Sequence, residues 1–500
     1  MSSSRLLCVF GTGSDVGKSW ITAGLCRIFK QAGVDVAPYK AQNMSNNAGV
    51  TPAGLEMGRA QIVQAHACDL VPHVDMNPLL LKPNTDTGAQ VVVLGRVLGE
   101  MSARQYFTGE MEARRALVHA ALDRLMAAHQ LVVAEGAGSC AEVNLRHRDL
   151  VNMSVAHHGD GQVLLVADIH KGGVFGQVVG TLACMPPRDR ARVAGVIINR
   201  FRGDPSLFDD GRRWLEDRTG LPVLGLVPWT RSIRIELEDG LSPETRVDPP
   251  PPEDRSRLHV AVLRLPHISN FTDFDALDRH GVVVHYLARP RRLDRYDAVI
   301  LPGSKNTRGD LRWLRREGWE PLLRGYDGMI LGICGGFQML GERIADPLGV
   351  EGDPGESRGL GLLPATTVLA GEKTTRAVQG RLEGVPAGGE VPVEGGLPVE
   401  GYEIHMGQTT VRCAPLVRLD PDGRPDGARH GRVLGTYLHG LFDAQGVVEA
   451  LFGPLRPDLR FPRLPDHHAW RREQLDALAD HLRGCLDLDR LSEIVGLPVR

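Results

Sequence analysis

Cys334 stands in Met329-Ile-Leu-Gly-Ile-Cys-Gly-Gly-Phe-Gln-Met-Leu-Gly341, an apolar run broken by a thiol and two glycines before helical spacing begins. A thiol attacks as its thiolate. A strand-to-helix turn with small neighbours presents it at a helix N-terminus, where that charge is favoured. Such a nucleophile needs a base. His439, in Gly435-Thr-Tyr-Leu-His-Gly-Leu441, ends another strand-like run and is the candidate among 18 histidines. The backbone N–H groups of Gly303 and Ser304, in Pro302-Gly-Ser-Lys-Asn-Thr307, and of Gly335 are candidates for an oxyanion hole.

A second chemistry is written at Gly11-Thr-Gly-Ser-Asp-Val-Gly-Lys-Ser19, after the apolar run Leu6–Phe10. Strand, glycine-rich turn, Lys-Ser and helix form a phosphate cradle. Backbone N–H groups point inward, and the helix start adds positive potential. Gly13, Asp15 and Gly17 line the loop, Lys18 reaches the β/γ-phosphates of ATP, and the Ser19 hydroxyl is a ligand for Mg²⁺. The strict pattern asks for Gly at position 12, which is Thr, so the register is a variant. Glu135 in Val132-Val-Ala-Glu-Gly-Ala-Gly-Ser139 is the expected acidic metal ligand. Asp168 also ends a strand-like run and could serve metal or substrate. Asn199 could offer its amide to adenine.

These residues need elements to hold them. Leu6–Phe10, Val34–Tyr39, Leu131–Ala134, Val163–Ala167, Val193–Ile198 and Val223–Val227 read as buried strands, with helices over Gly17–Gln31 and Met111–His129. That alternation predicts a parallel sheet covered on both faces. Four prolines in Asp248-Pro-Pro-Pro-Pro-Glu-Asp254 mark a stiff linker. The alternation restarts with His259–Leu265, Val282–Leu287, Ala298–Leu301 and Met329–Ile333, and helices over Asp310–Glu317 and Gly336–Ile344. Gly371–Gly401 reads as long loops or an irregular antiparallel insert, and Asp466–Leu491 as helices packed on the second domain. The expected fold class is α/β with two domains, each a mostly parallel sheet flanked by helices. Residues 1–246 form a P-loop domain, 247–256 the linker, 257–450 the thiol domain and 451–500 a helical tail.

At 500 residues the chain is too long for one core, and its net charge of −3 specifies no polyanion partner. No apolar run is long enough for a membrane span, and the eight cysteines show no CxxC pair. A cleaved leader would remove part of the first motif. The expectation is a cytoplasmic protein without nucleic-acid or membrane partners.

The loop has the GT-x-x-x-VGK-[ST] form and is similar to that of dethiobiotin synthetase. Across nearly the whole chain, the motifs resemble the cobyric acid synthase family. They run in order GTGSDVGKS, Tyr39-Lys-Ala-Gln-Asn-Met-Ser-Asn-Asn47, VVAEGAGS, ADIHKGGVFG, INRFRGD, LPGSKNT, GICGGFQMLG, Gly401-Tyr-Glu-Ile-His-Met-Gly407 and GTYLHG. The Tyr39–Asn47 and Gly401–Gly407 segments are the most specific to it. The resemblance implies a dethiobiotin-synthetase-like domain joined to a class I glutamine amidotransferase domain. The implied reaction is ATP- and glutamine-dependent amidation of a corrinoid in cobalamin biosynthesis: the b, d, e and g carboxylates of adenosylcobyrinic acid a,c-diamide, or of its hydrogenobyrinic counterpart. ATP would form an acyl phosphate, and Cys334 and His439 would release ammonia from glutamine. Gln42, Asn43, Asn46, Arg59, Lys82, Asp168, Lys171 and Arg202 are plausible substrate contacts.

One position departs from the wider amidotransferase pattern. Many of those enzymes carry Glu two residues after the catalytic His, and here that residue is Leu441. Either Cys334 and His439 act as a dyad, or an acid elsewhere orients the imidazole. The alternatives are an a,c-diamide synthase with the same two chemistries, a cell-wall amidotransferase, and a partitioning-type ATPase switch. The last would carry an additional Lys early in the loop, and Gly11 to Lys18 contains none.

Overall fold

The computed structural model describes residues 4–84, 88–236, 248–383 and 396–499. Six parallel strands form the first sheet, in the order Val223–Pro228, Val193–Phe201, Gln162–Asp168, Arg5–Gly11, Leu131–Glu135 and Val36–Tyr39. Leu131–Glu135 is buried at every position. Continuous β-branched and aliphatic runs are what a sheet covered on both faces requires. One face is sealed by Met111–Ala128, the other by Lys18–Gln31.

The second sheet has the order Val283–Leu287, His259–Leu263, Ala298–Leu301, Met329–Ile333, Val433–Thr436 and Ala428–His430, with only the last pair antiparallel. Between the sheets, residues 248–256 carry no regular structure, as a proline run dictates. Residue 247 of the expected linker lies outside the described residues.

Three expectations are corrected. The helix anticipated over Gly336–Ile344 is Gly335–Leu340, and Ile344 belongs to the strand Arg343–Asp346. Gly341 ends that helix in extended backbone, and a Cβ there would sit 2.7 Å from Ala365 O. Of the two readings of Gly371–Gly401, the antiparallel insert holds and the irregularity does not: it lies in a long antiparallel hairpin of Ala365–Leu382 and Leu397–Val411, whose connecting residues 384–395 lie outside the described ones. Its Gly and Pro content hid strands that contain few of either.

The third correction concerns the tail. Leu451, Phe452, Leu455, Leu459 and Phe461 join the second domain's core as expected, but helix His467–Arg483, beyond its first turn, packs on the first domain. Its Leu475, Leu478 and Leu482, with Leu486, Leu491, Val495 and Val499, join the core that holds Ile21, Leu25 and Ile28. Arg27 pairs with Asp476 at 2.7 Å, and Gly225 bridges Leu486. Helical periodicity gives the apolar stripe but not its partner.

A four-stranded sheet of Gln42–Met44, Leu79–Pro83, Gly88–Val93 and Arg96–Ser102 is present beyond the strands expected from apolar runs. It carries the Tyr39–Asn47 segment away from the first sheet toward the second domain.

Candidate active site

Gly17 begins the phosphate loop's helix at φ 93°, in the left-handed region open to glycine. A Cβ there would also lie 2.1 Å from Asn199 Nδ2. Lys18 Nζ folds over the loop and donates to Gly13 O at 2.8 Å and to Gly138 O at 3.2 Å. The Ser19 hydroxyl donates to Glu135 Oε1 at 2.7 Å. Lys40 pairs with the same oxygen at 2.7 Å, and Gln64 Nε2 donates to Oε2 at 2.6 Å. Burial opposes the Glu135 charge, yet Lys40 together with the hydrogen bonds from Ser19 and Gln64 outweighs it and holds the carboxyl below its ordinary pKa. A hydroxyl and a carboxylate facing each other beside a phosphate loop are hard oxygen donors of the kind Mg²⁺ takes.

Gly13, Asp15, Lys18, Gln42, Asn43 and Glu135 line one cleft of about 680 Å³. Arg146 and Arg148 line it too, adding positive charge the sequence reading did not assign. Several predicted contacts are elsewhere. Asn199 is 4% exposed; its amide donates to Val16 O at 2.9 Å and its oxygen accepts from Arg200 N, so it braces the phosphate loop. Asp168 accepts from His170 N and pairs with Arg200 at 3.0 Å, which commits it to its own turn. Lys171 is exposed and outside the cleft lining. Arg59 pairs with Glu236, Lys82 with Glu56, and Arg202 lies over the Trp229 ring. Asn46 stands at the domain junction, where its carbonyl accepts from Asn270 N at 3.4 Å.

In the second domain, Cys334 turns the chain from Met329–Ile333 into Gly335–Leu340 with φ 52° and ψ −110°. A non-glycine residue in this region is strained and is held by its surroundings. Cys334 N donates to Thr436 O at 2.8 Å. Gly336 fits only as glycine, since a Cβ would lie 1.9 Å from Leu301 O. The thiol is 6% exposed and donates to Ile404 O at 3.5 Å.

His439 reaches the thiol, and Asp273 completes the site. His439 Nδ1 meets Asp273 Oδ2 at 2.6 Å, and the other carboxylate oxygen accepts from Gly440 N. Burial works against the imidazolium, but the Asp273 carboxylate and the Cys334 sulfur together raise His439 to about 10. The acid that Leu441 fails to supply comes from Asn270-Phe-Thr-Asp273, which is 166 residues from His439 in sequence. No local spacing marks it.

Gly401–Gly407 lies on the hairpin strand Leu397–Val411 and holds the base. Tyr402 and His439 exchange backbone hydrogen bonds of 3.2 and 2.9 Å, and their rings stack with centroids 5.2 Å apart. Gly303 and Ser304 border the same site: a Cβ on Gly303 would lie 3.5 Å from His439 Cε1, and one on Gly335 would lie 2.9 Å from Ser304 N. The three expected oxyanion-hole residues are therefore neighbours around the thiol.

Residues 7–243 match the family model of the CobQ/CobB/MinD/ParA nucleotide-binding domain. Residues 259–447 match the CobB/CobQ-like glutamine amidotransferase domain. The cobyric acid synthase of Chlorobium phaeobacteroides (strain BS1) is 52% identical over 507 residues, covering 98% of this chain and 99% of that protein. The cobyric acid synthase of Chlorobaculum tepidum is 51% identical over 99% of this chain and 98% of its own. Among the described residues, no helix is long and apolar enough to cross a membrane.

Proposed function

This chain belongs to the cobyric acid synthase family, and from that premise we propose that it amidates the b, d, e and g carboxylates of adenosylcobyrinic acid a,c-diamide, or of its hydrogenobyrinic counterpart, in the cytosol. As a member it is a glutamine-dependent ligase with a nucleotide-binding domain. The observation that carries the reading is the segment Lys40–Ala48. It starts on Glu135, beside Lys18, and ends on Asn270, beside His439.

A carboxylate is a poor electrophile, because its charge repels nucleophiles and its oxygen leaves badly. Phosphorylation by ATP turns that oxygen into a leaving group. Lys18 is placed to leave its resting carbonyl partners and neutralise charge on the transferring phosphoryl group. Ser19 and Glu135 would hold Mg²⁺, which when bound supplies further charge neutralisation there. Lys40, at the same carboxylate, keeps Glu135 ionised. Arg146 and Arg148 suit a substrate bearing several carboxylates.

At the thiol site, Cys334 attacks the glutamine amide carbon and His439 gives the proton that lets ammonia leave. Asp273 holds Nδ1 so that Nε2 does this work. Ammonia formed beside the junction attacks the acyl phosphate, where phosphate departs.

Tyr39–Asn47 and Gly401–Gly407 favour this reading over an a,c-diamide synthase. A partitioning-type switch would have no use for the Cys334–His439–Asp273 arrangement. In assays with corrinoid, ATP, Mg²⁺ and either glutamine or ammonia, Cys334→Ala is expected to lose only glutamine-driven product. Lys18→Ala is expected to stop synthesis from both donors while glutaminase persists. Mass spectrometry counts the carboxylates converted. Equal loss from both donors in Cys334→Ala with the fold intact, or fewer than four amides in the unaltered protein, would sink the reading.

A further inference from the structure

Asn270 has no assigned part in either chemistry, yet it touches both domains at once. It is 4% exposed and adopts left-handed backbone, φ 51° and ψ 40°. Its N–H donates to Asn46 O at 3.4 Å, and its Oδ1 accepts from Ala48 N at 3.0 Å. Its Nδ2 lies 3.4 Å from His439 Nε2. A carboxamide has one accepting and one donating end. Because Ala48 N–H can only donate, it takes the oxygen, and the donating end is turned toward His439.

We propose that Asn270 is a positioning residue for glutamine hydrolysis, set by the first domain. With its oxygen pinned by Ala48, its Nδ2–H faces His439 Nε2 and disfavours a proton there between proton transfers. The inference rests on the glutaminase reading above.

The need arises in the second half of hydrolysis. Once glutamine is bound as a thioester, the sulfur carries an acyl group and no charge. Water then attacks the carbonyl carbon; the C–O bond forms, the C–S bond breaks, and glutamate leaves. The water proton passes to Nε2 and from there to the departing sulfur. Nε2 must therefore begin this half unprotonated. The charged or ionisable groups facing His439 are Asp273, Cys334 and Tyr402. Asp273 pulls toward the imidazolium throughout, and a donor against Nε2 opposes that pull.

Asn270→Asp keeps the shape and can still accept from Ala48, but it puts a carboxylate oxygen against Nε2. The expected results are a roughly 10-fold lower glutaminase kcat with KM for glutamine within about twofold. Glutamyl thioester should accumulate on Cys334 by intact-protein mass spectrometry. The acid limb of the kcat–pH profile should move up by about one unit or more. Asn270→Ala, which only removes the donor, should lower kcat and move the limb up by less than Asn270→Asp does. Ammonia-driven synthesis should stay normal in both, which shows that the fold and the ATP site are intact. A kcat and acid limb unchanged in Asn270→Asp overturn the proposal. So does loss of ammonia-driven synthesis in both variants, which would make Asn270 a strut between domains. Absence of glutaminase from the unaltered protein would instead strike the underlying reading.

Discussion

His439 is 1% exposed, an environment that disfavours an imidazolium, yet Asp273 and Cys334 raise it to about 10. Burial is the largest single effect, and the Asp273 charge, its hydrogen bond and the Cys334 sulfur outweigh it only together. Asp273→Asn keeps the contact but removes the charge. Glutaminase should fall by about 10²-fold or more, with ammonia-driven synthesis unchanged, in parallel assays with the two donors. The stability profile should change as well. A folded pKa raised from 6.5 to about 10 contributes stability that is complete below 6.5 and lost as pH rises through 10. Urea titrations of Asp273→Asn should therefore show a flatter decline across that window. At this scale, the sequence displays residues whose chemistry depends on neighbours in the chain. Cys334 is framed by glycines, and Lys18 and Ser19 sit in a loop; the structure joins Ser19 to the predicted Glu135. Asp273, Lys40, Gln64 and Asn270 act through partners 71 to 169 residues away, so only tertiary structure reveals them.

Elements were legible where one face decides their character. The first-sheet strands and the helix after the phosphate loop follow from continuous apolar runs and a glycine-to-lysine start. Elements whose identity depends on pairing were not. Gln42–Met44 is three residues long and is a strand only because Leu79–Leu81 lies beside it. The tail helix shows the same limit: its Leu stripe is visible, but its destination is set by a groove in another domain. There, a Cβ on Gly24 would lie 2.3 Å from Leu482 Cδ1, so the two helices meet closely. Leu482→Ala should cost about 2–5 kcal/mol, since Leu482 is fully buried. Hydrogen exchange should quicken in Lys18–Gln31 and leave Met329–Leu340 unchanged. Equal quickening in both segments would place the tail's contribution elsewhere.

Taken whole, the molecule is tied together at more than the proline linker. Glu236 is buried between Arg59 of the first domain and Arg471 of the tail, with His467 at 3.0 Å and Asp443 of the second domain close by. Burial opposes the Glu236 charge, yet Arg471 and Arg59 together hold its carboxyl well below the ordinary range. Glu236, Asp443 and His467 have the spacing of metal ligands, but the two guanidinium groups already supply the positive charge there. A chain ending at Arg456 would keep both sheets and lose this junction together with the leucines that cover Ile21, Leu25 and Ile28. It should bind a fluorescent apolar dye and fail to bind ATP until a peptide of residues 460–500 is added. Binding without the peptide would show that the first domain stands alone.

That docking has a consequence in time. The last strand of the first sheet ends at Pro228, whereas the leucines completing that domain's core begin at Leu475. A ribosome making ~5–20 residues per second takes roughly 12–50 s to cross the interval. For that period the nascent first domain shows an apolar groove to the cell, which gives a chaperone both the surface and the time to bind it.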